Sequence, residues 1–275
     1  MKKLEGKVAI VSGSGRGIGR AIAMKLASEG AKVVVNDLDA GPAEQTVTDI
    51  KAAGGTALAC AGSVTADGFA DKFVKTAIDG FGGLDIIINN AGYTWDNVIQ
   101  KMTDEQWNAI IDVHLTAPFK ILRAASEFIR AASKKEAEAG QEVFRKVVNI
   151  SSIAGLGGNA GQANYSAAKA GAVGLTLALA KEWGRYKVNV NCVAFGMIKT
   201  RLTEAPASGD ASIDVEGRKI KVGVNPDLLA MMERSIPLGR GGTPEEAAGS
   251  VYLLCTPEAN YVSGQTLVCG GGMMI

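Results

Sequence analysis

A tyrosine and a lysine four residues apart, Tyr165 and Lys169, form the pair in this sequence best suited to proton transfer. On a helix this spacing places both side chains on one face. A free tyrosine has a pKa of about 10, too high for efficient acid–base work near neutral pH, and a nearby ammonium lowers it. Ser152, at the end of an apolar run, could hydrogen-bond an oxygen on which charge builds up. Together the three residues predict acid–base chemistry at an alcohol or ketone oxygen, with Tyr165 carrying the proton.

A glycine-rich turn between an apolar run and a helical stretch indicates a second kind of chemistry, dinucleotide binding. It follows Lys7–Val11, and glycines there let the backbone approach a pyrophosphate that the next helix stabilises with its free N–H groups. A glycine turn alone is a common structural device, so its position between strand and helix matters. We expect the cofactor-binding residues of this turn to be Gly13, Ser14, Gly15, Arg16, Gly17, Ile18 and Gly19.

An acidic residue at the end of the next predicted strand supports NAD as the cofactor. Asp37 lies 18 residues after Gly19, near the spacing of about 20 at which a carboxylate binds the adenosine ribose hydroxyls. A carboxylate there repels the additional phosphate of NADP. Two other interpretations stay open: Asp37 could cap the turn that runs to Asp39, and Arg16 could reach a 2′-phosphate.

Short apolar runs alternate with helical stretches along the chain and predict the elements that hold these residues. Uniformly apolar strands separated by helices indicate a parallel sheet covered on both faces, and no linker interrupts the pattern. We therefore predict an α/β fold, a single Rossmann-like, doubly wound domain over residues 1–275 with about seven strands. The predicted strands are Lys7–Val11, Lys32–Asn36, Thr56–Ala61, Leu84–Ile88, Lys146–Ile150, Val188–Val193 and Gln265–Val268. The predicted helices cover Ala21–Leu26, Pro42–Ala53, Phe69–Phe81, Asp104–Ala132, Tyr165–Gly184 and Pro244–Leu254.

Two segments interrupt this alternation. Ser133 to Arg145 is charged and favours helix, so we expect a solvated extension of the preceding helix. Leu202 to Ile236 mixes glycine, proline, serine and charges with an apolar stretch. In a sheet of this kind such a segment could form a lid over the ligand crevice, or simply a surface excursion.

Composition excludes several classes of protein. The chain has 275 residues, 29 basic and 28 acidic, and this balance gives no sign of nucleic-acid binding. Its apolar runs are too short to span a bilayer, and its first residues carry no signal-peptide pattern. The four cysteines form no Cys-x-x-Cys pair and only one histidine is present, so we expect no disulfide and no metal site. We predict a cytoplasmic location.

The order of these motifs resembles that of the short-chain dehydrogenases/reductases. The matching pieces are Ser12 to Gly19, Asn89-Asn90-Ala91-Gly92, and Ser152 with Tyr165-Ser-Ala-Ala-Lys169. The resemblance covers Lys7 to Gly272, and Gly158 to Tyr165 is similar to 3-oxoacyl-acyl-carrier-protein reductases. It implies that Tyr165 is the acid and base, that Lys169 lowers its pKa and holds the nicotinamide ribose, and that Ser152 orients the carbonyl. It implies further cofactor contacts from Asn90, Ala91, Gly92, Ile198 and Thr200, although Asn89 to Gly92 could be an ordinary turn.

Three departures from the family pattern concern the site. The family has an asparagine inside a Val-Asn-Leu pattern, where this chain has His114, a residue also found in the related (3R)-hydroxyacyl-CoA dehydrogenases. That asparagine holds a relay water through its backbone carbonyl, so His114 could join the proton relay or be a packed side chain. Phe195-Gly196 replaces Pro-Gly before the substrate loop. Ser63-Val64 replaces an Asp-Val pair that contacts adenine.

The resulting hypothesis is NAD-dependent interconversion of a secondary alcohol and a ketone. The substrate that the resemblance favours is a 3-hydroxyacyl or 3-oxoacyl thioester of CoA or acyl carrier protein. The same chemistry on a steroid, sugar or cyclic alcohol is an alternative, and a non-catalytic dinucleotide-binding sensor is another. The resemblance also implies a homotetramer that uses the helices around Trp107 to Arg130 and Ala163 to Trp183.

Overall fold

The computed structural model describes residues 2–200, 212–221, 223 and 226–273. Seven strands form one sheet in the order β3-β2-β1-β4-β5-β6-β9, and every neighbouring pair is parallel. These strands are β1 (Val8–Val11), β2 (Lys32–Val35), β3 (Thr56–Ala59), β4 (Ile86–Asn89), β5 (Arg145–Ser152), β6 (Val188–Phe195) and β9 (Thr266–Cys269). A separate antiparallel hairpin is formed by β7 (Ser212–Val215) and β8 (Arg218–Lys221).

Helices cover both faces of the sheet. They are α1 (Gly17–Ser28), α2 (Ala40–Ala52), α3 (Phe69–Phe81), α4 (Asp104–Ile111), α5 (Ala117–Glu138), α6 (Ala154–Gly157), α7 (Ala163–Trp183), α8 (Pro226–Ser235) and α9 (Pro244–Cys255). Alternate strand residues point to opposite faces. Thus Ala9 and Val11 pack with α1, α2 and α9, whereas Val8 and Ile10 pack with α3 and α5. The predicted doubly wound α/β fold is confirmed, and the extent of one domain over residues 1–275 stays a prediction.

The prediction of one long helix over Asp104–Ala132 is wrong in one respect, because the observed helix is interrupted. A π-helical turn, Asp112–Thr116, separates α4 from α5. Such turns insert one residue into the helical hydrogen-bond register and are frequent at functional sites. His114 lies in the middle of this turn.

The segment from Ser133 to Arg145 follows the prediction only at its start. Helix α5 does continue to Glu138, but Arg145 begins β5 and is buried. Its guanidinium forms an ion pair with Glu136 and donates to the carbonyl of Leu84. Because Glu136 pairs with it, Arg145 is buried without the free-energy cost of an unpartnered charge. The prediction of a solvated helical segment as far as Arg145 is therefore wrong at its end.

The predicted lid segment, 202–236, lies partly outside the described residues, since 201–211, 222 and 224–225 are not among them. Its described part contains the β7–β8 hairpin and α8. In the hairpin, Glu216 and Gly217 have φ values of 54° and 81°, as a tight turn between right-twisted strands requires. None of the helices in the described part of the chain is long and apolar enough to cross a membrane.

Candidate active site

A cavity of about 1070 Å³ lies at the carboxyl edge of the parallel sheet. The segments that follow β1 through β6 line it, together with residues of the β7–β8 hairpin and α8. In an open parallel sheet this edge is where ligands bind, near the point at which the strand order reverses. That point lies between β1 and β4 here.

The glycine turn after β1 leaves the start of α1 open to the cavity. Arg16 is the N-cap residue, yet no side chain caps the helix, and its first turn contains no acidic residue. Gly17 has a φ of 52° and lines the cavity with Ile18 and Gly19. The unpaired N–H groups and partial positive charge of this end suit a pyrophosphate. The residues present therefore fit a dinucleotide.

Two residues of the turn that we expected to bind the cofactor lie behind the cavity wall. Ser14 is fully buried, and its hydroxyl donates to the carbonyl of Val11 at 2.6 Å. Gly15 packs against Asp37, whose Cβ would be 2.9 Å from a Cβ on the glycine. Neither residue is among those lining the cavity.

Asn36, at the end of β2, is a site residue that sequence reasoning missed. Its amide nitrogen donates to the carbonyls of Cys60 and Gly62, both at 3.0 Å, and its oxygen accepts from the N–H of Gly13 at 3.1 Å. One buried side chain thereby joins the loops after β1, β2 and β3. The available signal was a polar residue at the end of an apolar strand, directly before Asp37.

Asp37 lines the cavity beside the glycine turn, in the same region as Ser63 and Val64. One carboxylate oxygen accepts from the N–H of Asp39 at 3.2 Å, so Asp37 does shape the local turn. The Asp39 carboxylate in turn forms an ion pair with Arg16 at 2.8 Å. Turn formation and a place in the cavity wall are therefore compatible at Asp37.

Asn90 fixes the conformation of the glycine turn. Its side-chain nitrogen donates to the carbonyls of Ser12 at 2.9 Å and Gly13 at 3.0 Å. The hydroxyl of Ser12 accepts from the N–H groups of Asn90 and Ala91, both at 3.0 Å. Asn90 lines the cavity, and its amide connects the ends of β1 and β4 there.

Tyr165, Lys169 and Ser152 meet in the cavity. The first two lie on α7, and the lysine Nζ is 5.5 Å from the centre of the tyrosine ring. The start of α7 is anchored by Asn164, which accepts from the N–H of Tyr165 at 2.8 Å and donates to the carbonyls of Trp95 and Gln106. The spacing argument thus placed these residues correctly relative to one another.

The electrostatics of the pair differ from what the sequence predicts. Burial raises the pKa of Tyr165 to about 12, only partly opposed by a hydrogen bond with Ser152. Burial also lowers the pKa of Lys169 to about 8. Its Nζ donates to the carbonyl of Ile150 at 2.7 Å. The expected lowering of the tyrosine pKa by the ammonium is therefore not found: desolvation is the largest influence on the hydroxyl, and Lys169 is not among the groups that shift its pKa.

His114 packs edge-on against Tyr165, with ring centres 5.1 Å apart. Its Nε2 is 2.7 Å from the carbonyl of Tyr93, which can only accept, so Nε2 carries the hydrogen. Burial and the nearby Lys169 lower the pKa of His114 well below its usual value, which makes the ring neutral. Its Nδ1 is then a buried lone pair with no hydrogen-bond partner among the described residues.

Position 92, beside the histidine, has room only for glycine. A Cβ at Gly92 would overlap the His114 ring. The glycine after β4 therefore makes room for the imidazole, and Gly92 itself lines the cavity. Ala91 also lines it.

The far end of the cavity is formed by the β7–β8 hairpin and neighbouring loops. Arg218 of β8 donates to Glu105 of α4 at 2.9 Å and lies 6.0 Å from the centre of the Trp95 ring. Asp96 accepts from Gln162 at 2.7 Å, and burial raises the pKa of this carboxyl. Further lining residues at this end and beside β6 are Tyr93, Met197, Ile198, Thr200, Met232 and Met273.

Comparisons with known proteins give the same family. A family model described as short chain dehydrogenase matches residues 7–210. The chain is 39% identical over 277 residues to a 3-oxoacyl-[acyl-carrier-protein] reductase of Synechocystis, covering 100% of both proteins. It is 38% identical to the reductase of that name from Vibrio cholerae and 37% identical to the one from Escherichia coli, covering 98% of each chain. The chain belongs to the short-chain dehydrogenase family, whose members are nicotinamide-dependent oxidoreductases acting on CH–OH groups.

Proposed function

We propose that the chain catalyses NAD-dependent hydride transfer between a secondary alcohol and a ketone, on a 3-hydroxyacyl or 3-oxoacyl thioester of CoA or acyl carrier protein. The observation that carries the proposal is the convergence of Tyr165, Lys169 and Ser152 on the cavity into which the uncapped start of α1 opens. A dinucleotide and a carbonyl oxygen can therefore be held side by side, which supplies much of the acceleration of such a step.

Each part of the cavity wall has a proposed task toward the dinucleotide. The N–H groups at the start of α1, within Gly13 to Gly19, bind the pyrophosphate. Asp37 accepts from the adenosine ribose, and Ser63 and Val64 contact the adenine. Lys169 binds the nicotinamide ribose. The remaining contacts come from Asn90, Ala91, Gly92, Tyr165, Ile198 and Thr200, all in the cavity wall. When bound, the nicotinamide supplies or accepts the hydride.

Tyr165 donates the proton in reduction and accepts it in oxidation. In the reducing direction its hydroxyl donates the proton to the carbonyl oxygen, and its pKa of about 12 keeps it protonated at neutral pH. Ser152 hydrogen-bonds the same oxygen and stabilises the charge that develops there. In the oxidising direction the phenolate removes the proton, so the positive charges of Lys169 and of the oxidised cofactor favour the required form.

We assign His114 a part in proton delivery behind Tyr165. Its neutral ring presents an Nδ1 lone pair in a buried position beside the tyrosine, with Nε2 fixed by the carbonyl of Tyr93. A lone pair in such a place is costly unless a donor such as water reaches it. The alternative, a packed side chain without a role in the reaction, predicts that an apolar residue of similar size preserves turnover.

The thioester assignment is supported by the relatives, which are named 3-oxoacyl-[acyl-carrier-protein] reductase and match this chain over nearly their full length. The cavity itself offers Met197, Met232 and Met273. Methionine side chains adapt to apolar groups of varied shape, as an acyl chain requires.

A substrate panel tests the function. Purified protein is assayed with NADH and NADPH on 3-oxoacyl thioesters of increasing chain length, and on keto-steroids, keto-sugars and cyclic ketones. We expect the highest kcat/KM with NADH and a thioester. A higher value on a steroid, sugar or cyclic ketone would overturn the substrate assignment, and a higher value with NADPH would overturn the NAD assignment.

Tyr165→Phe separates an enzyme from a dinucleotide-binding sensor. We expect it to abolish turnover while the Kd for NADH changes less than about twofold, because only the reacting hydroxyl is lost. Tyr261→Phe is the matched control, since Tyr261 is fully exposed. Retained turnover in Tyr165→Phe would remove the tyrosine from its role, and dinucleotide binding without turnover in the wild type would favour the sensor.

We also propose a homotetramer and a cytoplasmic location. Three large apolar side chains on α4, α5 and α7 are between 39% and 47% exposed: Trp107, Phe119 and Leu177. Apolar surface on adjacent helices is typical of subunit interfaces. Light scattering of the purified protein measures the assembly, and a monomer at micromolar concentration would contradict the tetramer.

A further inference from the structure

Arg16 and Asp39 form an ion pair at the adenosine end of the cavity. The guanidinium of Arg16, at the N-cap of α1, is 2.8 Å from the carboxylate of Asp39. Both residues line the cavity, on the segments that follow β1 and β2. Asp39 is the N-cap residue of α2, yet its side chain makes no capping hydrogen bond with that helix. Its carboxylate is directed to the arginine instead.

Asp37 helps to hold this arrangement. Its carboxylate accepts from the backbone N–H of Asp39 at 3.2 Å, which fixes the start of the segment that carries the second carboxylate. Of the described residues that line this end of the cavity, Arg16 alone is basic. Arg20, one turn further along α1, is paired with Asp49 of α2 at 2.8 Å and does not line the cavity.

Among the described lining residues, the charges at this end therefore sum to one negative charge, from the carboxylates of Asp37 and Asp39 and the guanidinium of Arg16. An additional phosphate on the adenosine ribose brings about two negative charges at neutral pH. With Asp37 alone removed, Arg16 would still be neutralised by Asp39. Discrimination against the phosphate thus depends on both carboxylates, through different routes. Asp37 acts by direct repulsion, and Asp39 acts by pairing with Arg16, the basic residue that the described part of the chain places at this end.

We propose that Asp39 is a second cofactor-discriminating residue, which holds Arg16 in an ion pair and so prevents it from binding a 2′-phosphate. The inference rests on the proposed preference for NAD and names the residue that completes it. It predicts that Arg16 contributes to binding of the phosphorylated cofactor only after Asp39 has been neutralised.

Binding titrations test the inference without turnover. The Kd values of NADH, NADPH, ADP and 2′,5′-ADP are measured by calorimetry for the wild type, Asp39→Asn, Arg16→Gln and the double variant. We expect Asp39→Asn to tighten NADPH and 2′,5′-ADP by at least about fivefold, the size of a modest charge-assisted hydrogen bond. NADH and ADP should change less than about twofold. Arg16→Gln should abolish the gain when it is combined with Asp39→Asn.

Asp49→Asn is the matched control. It removes one carboxylate from an arginine pair of the same length between the same two helices, outside the cavity. It should leave the ratio of NADPH to NADH affinity unchanged, since global charge acts weakly through solvent. Equal gains in Asp39→Asn and Asp49→Asn would overturn the proposal.

The remaining outcomes separate this inference from the proposed function. If the wild type binds neither NADH nor ADP, the proposed function itself fails. If the wild type binds NADH but Asp39→Asn leaves NADPH affinity unchanged, only the role of Asp39 fails. A gain in Asp39→Asn that survives Arg16→Gln would also overturn the proposal, because the arginine would not be its source.

Discussion

The imidazole of His114 fills the space that a Cβ of Gly92 would occupy. The ring is held there by its hydrogen bond to the carbonyl of Tyr93, one residue after the glycine. Gly92 follows β4, and His114 lies in the π-helical turn. The histidine ring can occupy its position only because residue 92 has no side chain. A side chain larger than hydrogen at position 92 therefore has to displace the ring.

Gly92→Ala should destabilise the protein by roughly 1–3 kcal/mol, because a methyl group has to displace a buried ring. The double variant Gly92→Ala/His114→Ala should recover part of that loss, since the smaller side chain vacates the space. Urea unfolding gives both free energies. Additive losses in the double variant would show that the two side chains do not compete for one volume.

Substitutions at His114 distinguish delivery of the proton from packing. His114→Leu preserves volume but supplies no lone pair, so kcat should fall at least about tenfold with little change in KM if the residue serves the relay. His114→Asn, which restores a polar side chain, should retain more of the wild-type kcat. Turnover at the wild-type level in His114→Leu, together with unchanged stability, would assign the histidine to packing alone.

The pH dependence of alcohol oxidation follows from Tyr165. The reaction needs the phenolate, and the pKa of the tyrosine is raised to about 12, so the active form is scarce at neutral pH and increases as pH rises. We expect kcat/KM for oxidation to climb between about pH 7 and pH 10, whereas ketone reduction, which needs the protonated form, stays nearly flat at the lower end of that range. A plateau of the oxidation rate already reached near neutral pH would contradict this prediction and would show that the positive charges of the bound cofactor and of Lys169 outweigh the desolvation of the tyrosine.

Asn36→Asp tests the side chain that joins three loops. The carboxylate keeps the acceptor for Gly13 but places oxygen against the carbonyls of Cys60 and Gly62, which then lack a donor. We expect a loss of stability of roughly 1–3 kcal/mol and weaker NADH binding. Gln141→Glu, the same change from amide to carboxylate at an exposed position that does not line the cavity, is the control for charge. Wild-type NADH affinity in Asn36→Asp would show that the loops hold their places without this amide.

Arg218→Gln tests the hairpin as part of the substrate site. It breaks the ion pair with Glu105 that connects β8 to α4. KM for the substrate should rise several-fold, while the Kd for NADH stays unchanged, because Arg218 contacts Glu105 and Trp95, which follow β4, whereas Asp37 follows β2. Lys219→Gln, a neighbouring exposed residue, is the control. Equal effects of the two variants on KM would remove Arg218 from a specific role.

Much of the fold could be predicted from the pattern of apolar residues. Each predicted strand of the parallel sheet agrees within two residues at both ends with an observed one, because buried parallel strands are short, continuous and apolar. The spacing of Tyr165 and Lys169 likewise placed both on one helical face. Local rules suffice for such features, since spacing alone determines direction on a helix or strand.

The missed features depend on contacts between distant segments. The π-helical turn at His114 adds one residue without changing the apolar pattern around it, so periodicity gives no signal. Arg145 is charged in sequence and becomes buried only because Glu136 pairs with it. The raised pKa of Tyr165 follows from burial, which the pattern of residue types does not quantify. The β7–β8 hairpin had a weak signal, an apolar alternation around Glu216-Gly217, that the mixed composition of the segment concealed.

The residues that line the cavity come from distant parts of the chain, and this determines the order in which they are synthesised. The lining residues that we propose to bind the adenosine lie between Gly13 and Thr65, within the first quarter of the chain. Tyr165 and Lys169 follow much later, and Ile198 and Met273, which line the same cavity, come after β6 and β9. A chain emerging from the ribosome thus exposes the segments that we propose to bind the adenosine long before Tyr165 and Lys169 have been synthesised. Any nascent chain that captured the dinucleotide could hold it only by the end that takes no part in the reaction.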